Sequence, residues 1–369
     1  MSTAAWSADT VVVSNGVLRP GTVSVDANGR IDEVLEGAVP GARDLGPGSV
    51  LVPGAVDLHG DAIEKLVEPR PGVRMPFGVA VRALDRRLAA SGVTTSFSAL
   101  SFAGDELGLR DPSASAALAL ELGSLEDAHV DHHVHLRVEV TDAGSVDAAV
   151  ETIGAGGIDL VSAMDHTPGQ GQFADIDAYL SFHERSYGTR PEKSRERAET
   201  KRAALLLLPE RLDRVADAAR SAGVPFAWHD PDTDESVERA ARLGATIAEF
   251  PTTRAALHAA NTAGLTVVMG APNLLRRTSS SGNLSAVEAL ASGVLDVLVS
   301  DYYPEAMWPA IVHCGRSLAE GVAMLAERPA VAAGLSDRGR IASGLRADLV
   351  GLRPDGSVLC TIVAGRRVA

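Results

Sequence analysis

Eight short apolar runs, rich in β-branched residues, recur through the middle of the chain, and helical spacing of apolar positions follows most of them. The helical pattern is clearest at residues 209–223 and 285–293. Strand and helix patterns that alternate in this way predict a (β/α)8 barrel. The predicted strands cover residues 51–58, 93–99, 133–139, 158–164, 223–229, 245–250, 265–270 and 295–300.

The two ends of the chain carry a different pattern, with short strands separated by glycine turns at residues 10–36 and 338–369. Neither end could bury a core alone, so we expect them to pair into one small β-sandwich. The predicted fold is therefore α/β, with a sandwich domain at residues 1–52 and 338–369 and a barrel domain at residues 53–337.

One highly charged stretch, residues 183–202, fits neither pattern. We interpret it as a long exposed insertion, either a lid over the barrel or simply the solvated face of a helix.

Composition narrows the class of protein. The 48 acidic residues outnumber the 34 Lys and Arg residues and give a formal net charge of -14, which argues against a nucleic-acid partner. Cys314 and Cys360 are the only cysteines, so a disulfide framework or a cysteine-rich zinc site is excluded. The first ten residues lack a signal-peptide pattern, and no charge-free apolar run is long enough for a membrane span. We therefore expect a cytoplasmic protein without a membrane partner, and a homo-oligomer stays open.

Polar residues that can bind metals or carry protons follow most of the predicted strands. The carboxyl ends of barrel strands form one face, where the active sites of such barrels lie. Period-two alternation puts His133, His135, Arg137 and Glu139 on one side of the third strand. The other candidates, taken in chain order, are His59, Asp61, Asp165, His166, His229, Asp230, Glu249 and Asp301.

A single histidine or aspartate at a strand end is more often a capping or hydrogen-bonded core residue than a ligand. The whole set is different, because so many buried polar groups would be costly without a shared partner. A divalent cation supplies that partner. Nitrogen and carboxylate ligands without thiolates suit zinc, manganese or iron, of which we favour zinc. The number of carboxylates is typical of a two-metal site with Glu139 as the bridge, so one or two divalent ions are expected.

Several long motifs recur in a familiar order: VPGAVDLHGDAIEK, EPRPGV, HLRVEV, LVSAMDHTPGQGQF, AEFPTT, MGAPN, SGN and SDYYP. With the GRIASGLRADLV stretch at residues 339–350, this pattern resembles the amidohydrolase superfamily. Within that superfamily, these motifs resemble those of the PhnM-like family, the diphosphatases of the carbon–phosphorus lyase pathway. The resemblance implies hydrolysis of α-D-ribose 1-methylphosphonate 5-triphosphate to the 5-phosphate and diphosphate.

The resemblance also suggests roles for individual residues. The expected metal ligands are His59, Asp61, Glu139, His166, His229 and Asp301, with Glu249 in reserve. Asp301 would also be catalytic, taking the proton of the attacking water. Guanidinium groups and backbone amides bind phosphate oxygens well, which points to a small anionic, phosphorylated substrate. Its predicted contacts are Lys65, Arg70, Arg137, Asn273, Arg276 and Arg277, the last three in the loop after strand seven, which also carries three serines.

The chain departs from the family's usual residues at Ala62, at Arg74 and Met75, and in the loop at residues 276–281. A different phosphorylated or nucleotide-like substrate is therefore one alternative. A second is an amidohydrolase that cuts a cyclic amide or ester or deaminates a nucleobase-like substrate, although such a neutral substrate would not need Arg137. A third is a non-catalytic subunit of a phosphonate-processing assembly, which leaves the strand-end ligands unexplained.

Overall fold

A computed structural model describes residues 4–14, 16–70, 72–104, 109–279 and 282–369. Its strands are β1 (Ala4–Ala8), β2 (Thr10–Val13), β3 (Gly16–Leu18), β4 (Gly21–Val25), β5 (Ile31–Glu36), β6 (Arg43–Asp44), β7 (Val50–Pro53), β8 (Ala55–Gly60), β9 (Val93–Phe102), β10 (Asp131–Glu139), β11 (Leu160–Met164), β12 (Phe226–His229), β13 (Ile247–Glu249), β14 (Thr266–Gly270), β15 (Val297–Val299), β16 (Leu349–Leu352), β17 (Val358–Val363) and β18 (Arg366–Arg367).

Helices follow the central strands, as the sequence pattern predicts. They are α1 (Ala62–Val67), α2 (Phe77–Ala90), α3 (Pro112–Gly123), α4 (Ala143–Ala155), α5 (Ile176–Tyr187), α6 (Pro191–Ala204), α7 (Leu208–Ala222), α8 (Asp234–Arg242), α9 (Arg254–Thr262), α10 (Ala271–Arg276), α11 (Ala286–Ala291), α12 (Met307–Val312), α13 (Leu318–Leu325) and α14 (Glu327–Ala332). Short 3-10 turns lie at Leu205–Leu207 and Pro304–Ala306. Within the described residues, no helix is long and apolar enough to cross a membrane.

Strands β8 to β15 form one parallel sheet in chain order. A parallel bridge between Gly60 and Asp301 joins the last strand to the first, so the sheet closes into the predicted barrel. Strands buried on both faces are expected to be apolar throughout, and this explains the continuous apolar runs in the sequence. Side chains such as Leu58, Phe97 and Val268 fill the interior of the barrel.

The two ends of the chain form the predicted β-sandwich. Its four-stranded sheet has the order β5-β4-β1-β6, and its six-stranded sheet has the order β18-β17-β16-β7-β2-β3. The strand β16 from the C-terminal end pairs with β7 from the N-terminal end, which explains why neither end needs a core of its own. Trp6, Leu51 and Ile362 lie in the shared core. The division of the chain into domains at 52/53 and 337/338 stays a prediction.

Two predicted elements differ from the structure. The first predicted strand, residues 51–58, is in fact two strands, β7 in the sandwich and β8 in the barrel, separated at Gly54. The charged stretch at residues 183–202 is not wholly exposed, because helices α5 and α6 occupy most of it and bury His183, Ser194, Ala198 and Lys201. Burial of Phe173, Tyr179 and Ala198 in one small cluster gives this segment a core of its own.

Candidate active site

The carboxyl ends of the barrel strands surround a cavity of about 250 Å³. Its lining includes His59, Asp61, Arg137, His229, Asp230 and Asp301. At the ends of barrel strands, Asp230, Phe250 and Asp301 have positive φ angles of 53°, 53° and 52°. Non-glycine residues seldom adopt this left-handed conformation, and functional sites are where such strain is most often found.

His59 is the next-to-last residue of strand β8 and is held by a residue of strand β13. Its Nδ1 lies 3.1 Å from Oε1 of Glu249, and both side chains are buried. Burial, reinforced by the charge of Arg137, lowers the pKa of His59 well below its ordinary value, so the ring is neutral. A carboxylate on one ring nitrogen is how metal-binding histidines are commonly oriented, and this contact leaves Nε2 as the atom that could bind a metal ion.

His135, on strand β10, lies deeper in the barrel than the other histidines of the site. Its Nδ1 is 3.0 Å from the carbonyl oxygen of Leu58, and its Nε2 is 2.8 Å from the hydroxyl of Ser162. Burial lowers the pKa of His135 to about 3. Both ring nitrogens are therefore engaged by the protein, and His135 supports the floor of the site.

Glu139 ends the same strand and is completely buried. Its Oε2 lies 3.0 Å from Nζ of Lys201 and 3.2 Å from Nδ1 of His166. Its Oε1 accepts hydrogen bonds from the hydroxyl and the backbone N–H of Thr141. The carboxylate that the sequence predicts as a metal bridge thus has a lysine beside it.

Among the residues that the structure describes, two groups of side chains have ligand atoms close enough to hold an ion. His59, His229 and Glu249 form one, and His166, His229 and Asp230 form the other, with all ligand atoms of a group within 4.8 Å of one another. His229 belongs to both groups. Its Nδ1 is 3.0 Å from Oδ2 of Asp230. Burial raises the pKa of Asp230, but His229, with the charges of His166 and Arg137, outweighs burial and lowers it.

Further carboxylates crowd the same end of the barrel. Burial, and after it the nearby Asp61, raises the pKa of Asp301 well above its ordinary value. Burial and Glu64 raise the pKa of Asp61, and burial and Glu139 raise that of Asp165. Neighbouring carboxylates raise one another's pKa because their negative charges repel. A cation bound among them would attract all of them and favour their charged forms. The nitrogen and oxygen donors therefore fit a divalent metal ion, as the sequence predicts.

Arg137 places a cation among these acids. Its side chain is only 5% exposed and lines the cavity, and its Nε has no hydrogen-bond partner among the described residues. Its charge contributes to the lowered pKa of His59 and acts against the raised pKa values of Asp61 and Asp301. A guanidinium buried at the base of a cavity is suited to bind an anionic group of a ligand.

The structure separates the predicted substrate contacts into two groups. Arg137 and Asn273 line the cavity, and Arg276 reaches its edge through a 3.1 Å contact with the Tyr302 hydroxyl. Lys65 and Arg70 are exposed and outside the lining, as is Arg277 at the end of helix α10. Ser280 and Ser281 of the same loop lie outside the described residues.

Sequence reasoning missed two basic residues of the site, Arg110 and Lys201. Arg110 lines the cavity and lies 3.3 Å from Glu64, but it follows no predicted strand. Lys201 lies in the charged stretch at residues 183–202, where charge alone does not distinguish it from the exposed residues around it. The buried positions Ser194, Ala198 and Lys201 follow helical spacing, and this seam is the signal that could have identified it.

Comparison with solved structures shows the fold. The chain superposes on N-acetyl-D-glucosamine-6-phosphate deacetylase from Mycobacterium smegmatis with a TM-score of 0.65 and 20% identity, covering 99% of this chain and 100% of that one. A triazine hydrolase variant gives a TM-score of 0.64 at 13% identity, covering 99% and 95% of the two chains. Both likenesses concern the fold alone.

No family model matches the chain, but comparison with characterised sequences shows its family. The chain is 34% identical over 355 residues to alpha-D-ribose 1-methylphosphonate 5-triphosphate diphosphatase of Escherichia coli (strain K12), and the match covers 92% of each sequence. This level of identity across nearly all of both sequences shows that the chain belongs to the family of alpha-D-ribose 1-methylphosphonate 5-triphosphate diphosphatases.

Proposed function

We propose that this protein is a metal-dependent hydrolase that releases diphosphate from a ribosyl 5-triphosphate. The Escherichia coli relative supplies the specific candidate substrate, alpha-D-ribose 1-methylphosphonate 5-triphosphate. The observation that carries the proposal is the buried Arg137 guanidinium, which lines the cavity together with Arg110 and with the acids and histidines of the strand ends. An anionic phosphoryl group would give the unpaired Nε of this guanidinium a charged hydrogen-bond acceptor, which a neutral amide does not offer.

The ligands that we propose for the metal are the nitrogens of His59, His166 and His229 and the carboxylates of Asp61 and Asp301. Glu139 and Glu249, the other predicted ligands, hold His166 and His59 in place through their ring nitrogens. A bound divalent ion would polarise a phosphoryl oxygen and lower the pKa of a water molecule beside it. Zinc is our choice among the metals that suit these donors.

Asp301 is the residue that we propose to take the proton from the attacking water. Its carboxylate lines the cavity just beyond the last barrel strand, where it could accept a proton from a bound water and give it up again. Attack at the α-phosphorus breaks the anhydride bond to the β-phosphorus, so the products are the ribosyl 5-phosphate and diphosphate. Arg137 would stabilise the negative charge on the phosphoryl oxygens during this step.

Helices α5 and α6 would exclude water from the bound triphosphate. Phe182 from α5 and Gln172 from the preceding turn line the same cavity as the barrel residues. This position favours the lid interpretation of the charged segment. We also propose a cytoplasmic location, because the proposed substrate is a phosphorylated metabolic intermediate.

Replacement of Arg137 by alanine tests the proposal. We expect the kcat/KM for a ribosyl triphosphate to fall about 10²-fold or more, the scale of losing one preorganised donor to the reacting group. Diphosphate release from the purified, metal-loaded protein is the measurement. Arg242→Ala is the matched control, because Arg242 is exposed on helix α8 and is not among the residues that line the cavity.

Two results would favour different conclusions. No diphosphate release by the wild type, together with full-rate hydrolysis of a neutral cyclic amide by Arg137→Ala, would support the amidohydrolase alternative. A wild-type protein that binds no metal and turns over neither substrate would support the non-catalytic subunit.

A further inference from the structure

Helix α6 brings a lysine into the interior of a segment that is otherwise strongly charged and solvated. Lys201 is 2% exposed, while Lys193 and Arg202 on the same helix are exposed. Ser194 and Ala198 are the other residues buried by this helix, and both are small. The seam faces helix α5, where Ala198 packs in one cluster with Phe173 and Tyr179, and Lys201 extends from the end of α6 to the strand-end residue Glu139.

The partner of Lys201 is the carboxylate of Glu139. Nζ lies 3.0 Å from Oε2 of Glu139 and 3.3 Å from the hydroxyl of Thr141. The same Oε2 is 3.2 Å from Nδ1 and 3.3 Å from the backbone N of His166. Thr141 donates twice to Oε1. Protein donors thus surround both oxygens of Glu139, and one of those donors carries a full positive charge.

A carboxylate that bridges two metal ions gives one oxygen to each, and the ions lie about 3.5–4 Å apart. At Glu139 an ammonium group already lies at hydrogen-bonding distance from one oxygen. A dication bound to that same oxygen would lie within a few ångströms of the ammonium, in a buried environment that screens their repulsion poorly. The two cations would therefore compete for the carboxylate.

We propose that Lys201 takes the place of a second metal ion at Glu139, so that the site holds a single divalent ion and Glu139 serves to orient the ligand His166 and not to bridge. This inference rests on the proposed function, because it presumes a metal centre. Lys201 is then a positioning residue. Its positive charge neutralises the carboxylate of Glu139, and Glu139 in turn holds His166 through Nδ1. The lysine that supplies this charge lies on helix α6 and not on a barrel strand.

Metal stoichiometry tests the inference directly. The protein is stripped with a chelator, reloaded with excess zinc, freed of unbound ion by gel filtration and analysed by mass spectrometry for zinc per chain. We expect one zinc in the wild type and one in the control Lys193→Met, whose lysine is exposed on the same helix. Lys201→Met should bind two, a twofold increase, because Glu139 then lacks its cation and can bridge.

The double variant Glu139→Gln with Lys201→Met removes the negative charge of the carboxylate together with the positive charge of the lysine. It provides a second test if Lys201→Met alone fails to fold because Glu139 is left as an unpaired buried charge. It should fold and bind one zinc, since a neutral amide does not bridge two ions. Two zinc ions in the active wild type, or one in a folded Lys201→Met, would overturn the inference and leave the proposed function intact. A second ion in the double variant would also overturn it. No zinc in a folded wild type would instead refute the proposed metal-dependent function.

Discussion

At the scale of single residues, Asp301 lies where the barrel closes. Its backbone N–H donates to the carbonyl of His59, and its own carbonyl accepts from the N–H of Asp61, at 2.9 Å in both contacts. The neighbouring Ser300 N–H donates to the buried carboxylate of Asp57 at 2.9 Å. These contacts fix the backbone, so a change in the Asp301 side chain should alter the chemistry more than the fold.

Replacement of Asp301 by asparagine keeps the size of the side chain and removes its ability to take a proton. We expect normal folding and a loss of at least about 10²-fold in kcat, the scale of a positioned acid–base group. Diphosphate release and zinc content are measured together, because a lost ligand would also lower the metal content. Asp213→Asn, at an exposed position on helix α7, is the control. An Asp301→Asn enzyme with full zinc content and wild-type kcat would exclude a role in proton transfer.

The candidate residues at strand ends could be predicted because the side chains of a strand alternate between its two faces. Alternation identifies a face, but it does not give the depth along the barrel. His133 shares the face of His135 but contacts Asp159 at 3.0 Å near the start of the strand, away from the cavity. The left-handed backbone at Asp230 and Phe250 was also beyond prediction, because neither residue type demands it.

At the scale of elements, Gly54 explains why one apolar run became two strands. A Cβ atom at this position would lie 2.2 Å from Oγ1 and 2.3 Å from Cγ2 of Thr94 on strand β9. The chain passes here from the sandwich to the barrel, and only a residue without a side chain fits against Thr94. Continuous hydrophobicity gave no indication of this change of sheet, because both strands are buried.

Replacement of Gly54 by alanine should therefore destabilise the protein, by about 1–3 kcal/mol, the usual cost of overpacking a core. Gly154→Ala is the matched control, because Gly154 lies on helix α4 with no atom within 4 Å of its added Cβ. The control should be neutral or stabilise the helix, since alanine has the higher helix propensity. Urea unfolding at constant pH measures both. Equal stability of Gly54→Ala and the wild type would contradict the close approach to Thr94.

At the scale of the whole molecule, a charged network joins the sandwich domain's end of the chain to the barrel. Arg338 donates to Oδ2 of Asp131 at 2.5 Å, and Arg346 donates to the same oxygen at 2.7 Å. Asp131 begins strand β10, whose other end carries Arg137 and Glu139. The sequence pattern assigned the sandwich to the two chain ends. It could not predict this network, because residues that pair in it, such as Asp131 and Arg338, are more than 200 positions apart in the chain.

His133 gives this network a dependence on pH. Burial alone would lower its pKa, but hydrogen bonds and charges of Asp131 and Asp159 outweigh burial and raise the pKa of His133 to about 9. A folded-state pKa above the unfolded value of about 6.5 means that the protonated ring stabilises the fold. This stabilisation is fully present below pH 6.5 and disappears as the pH rises through about 9. Its upper limit is about 3 kcal/mol, from 1.36 kcal/mol per pKa unit.

The His133→Asn variant should accordingly lose stability at pH 6 and approach the wild type as the pH rises towards 10. Urea unfolding of both proteins across this range gives the difference in the free energy of unfolding at each pH. His258→Asn is the control, because His258 is exposed on helix α9, and its difference from the wild type should not change over the same range. A His133→Asn difference that stayed constant from pH 6 to 10 would show that the ring acts by packing against Phe97, its stacked neighbour at 4.6 Å, and not by its charge. A difference that shrinks through pH 9 would instead show that the Asp131–His133–Asp159 cluster stabilises the barrel by its charge.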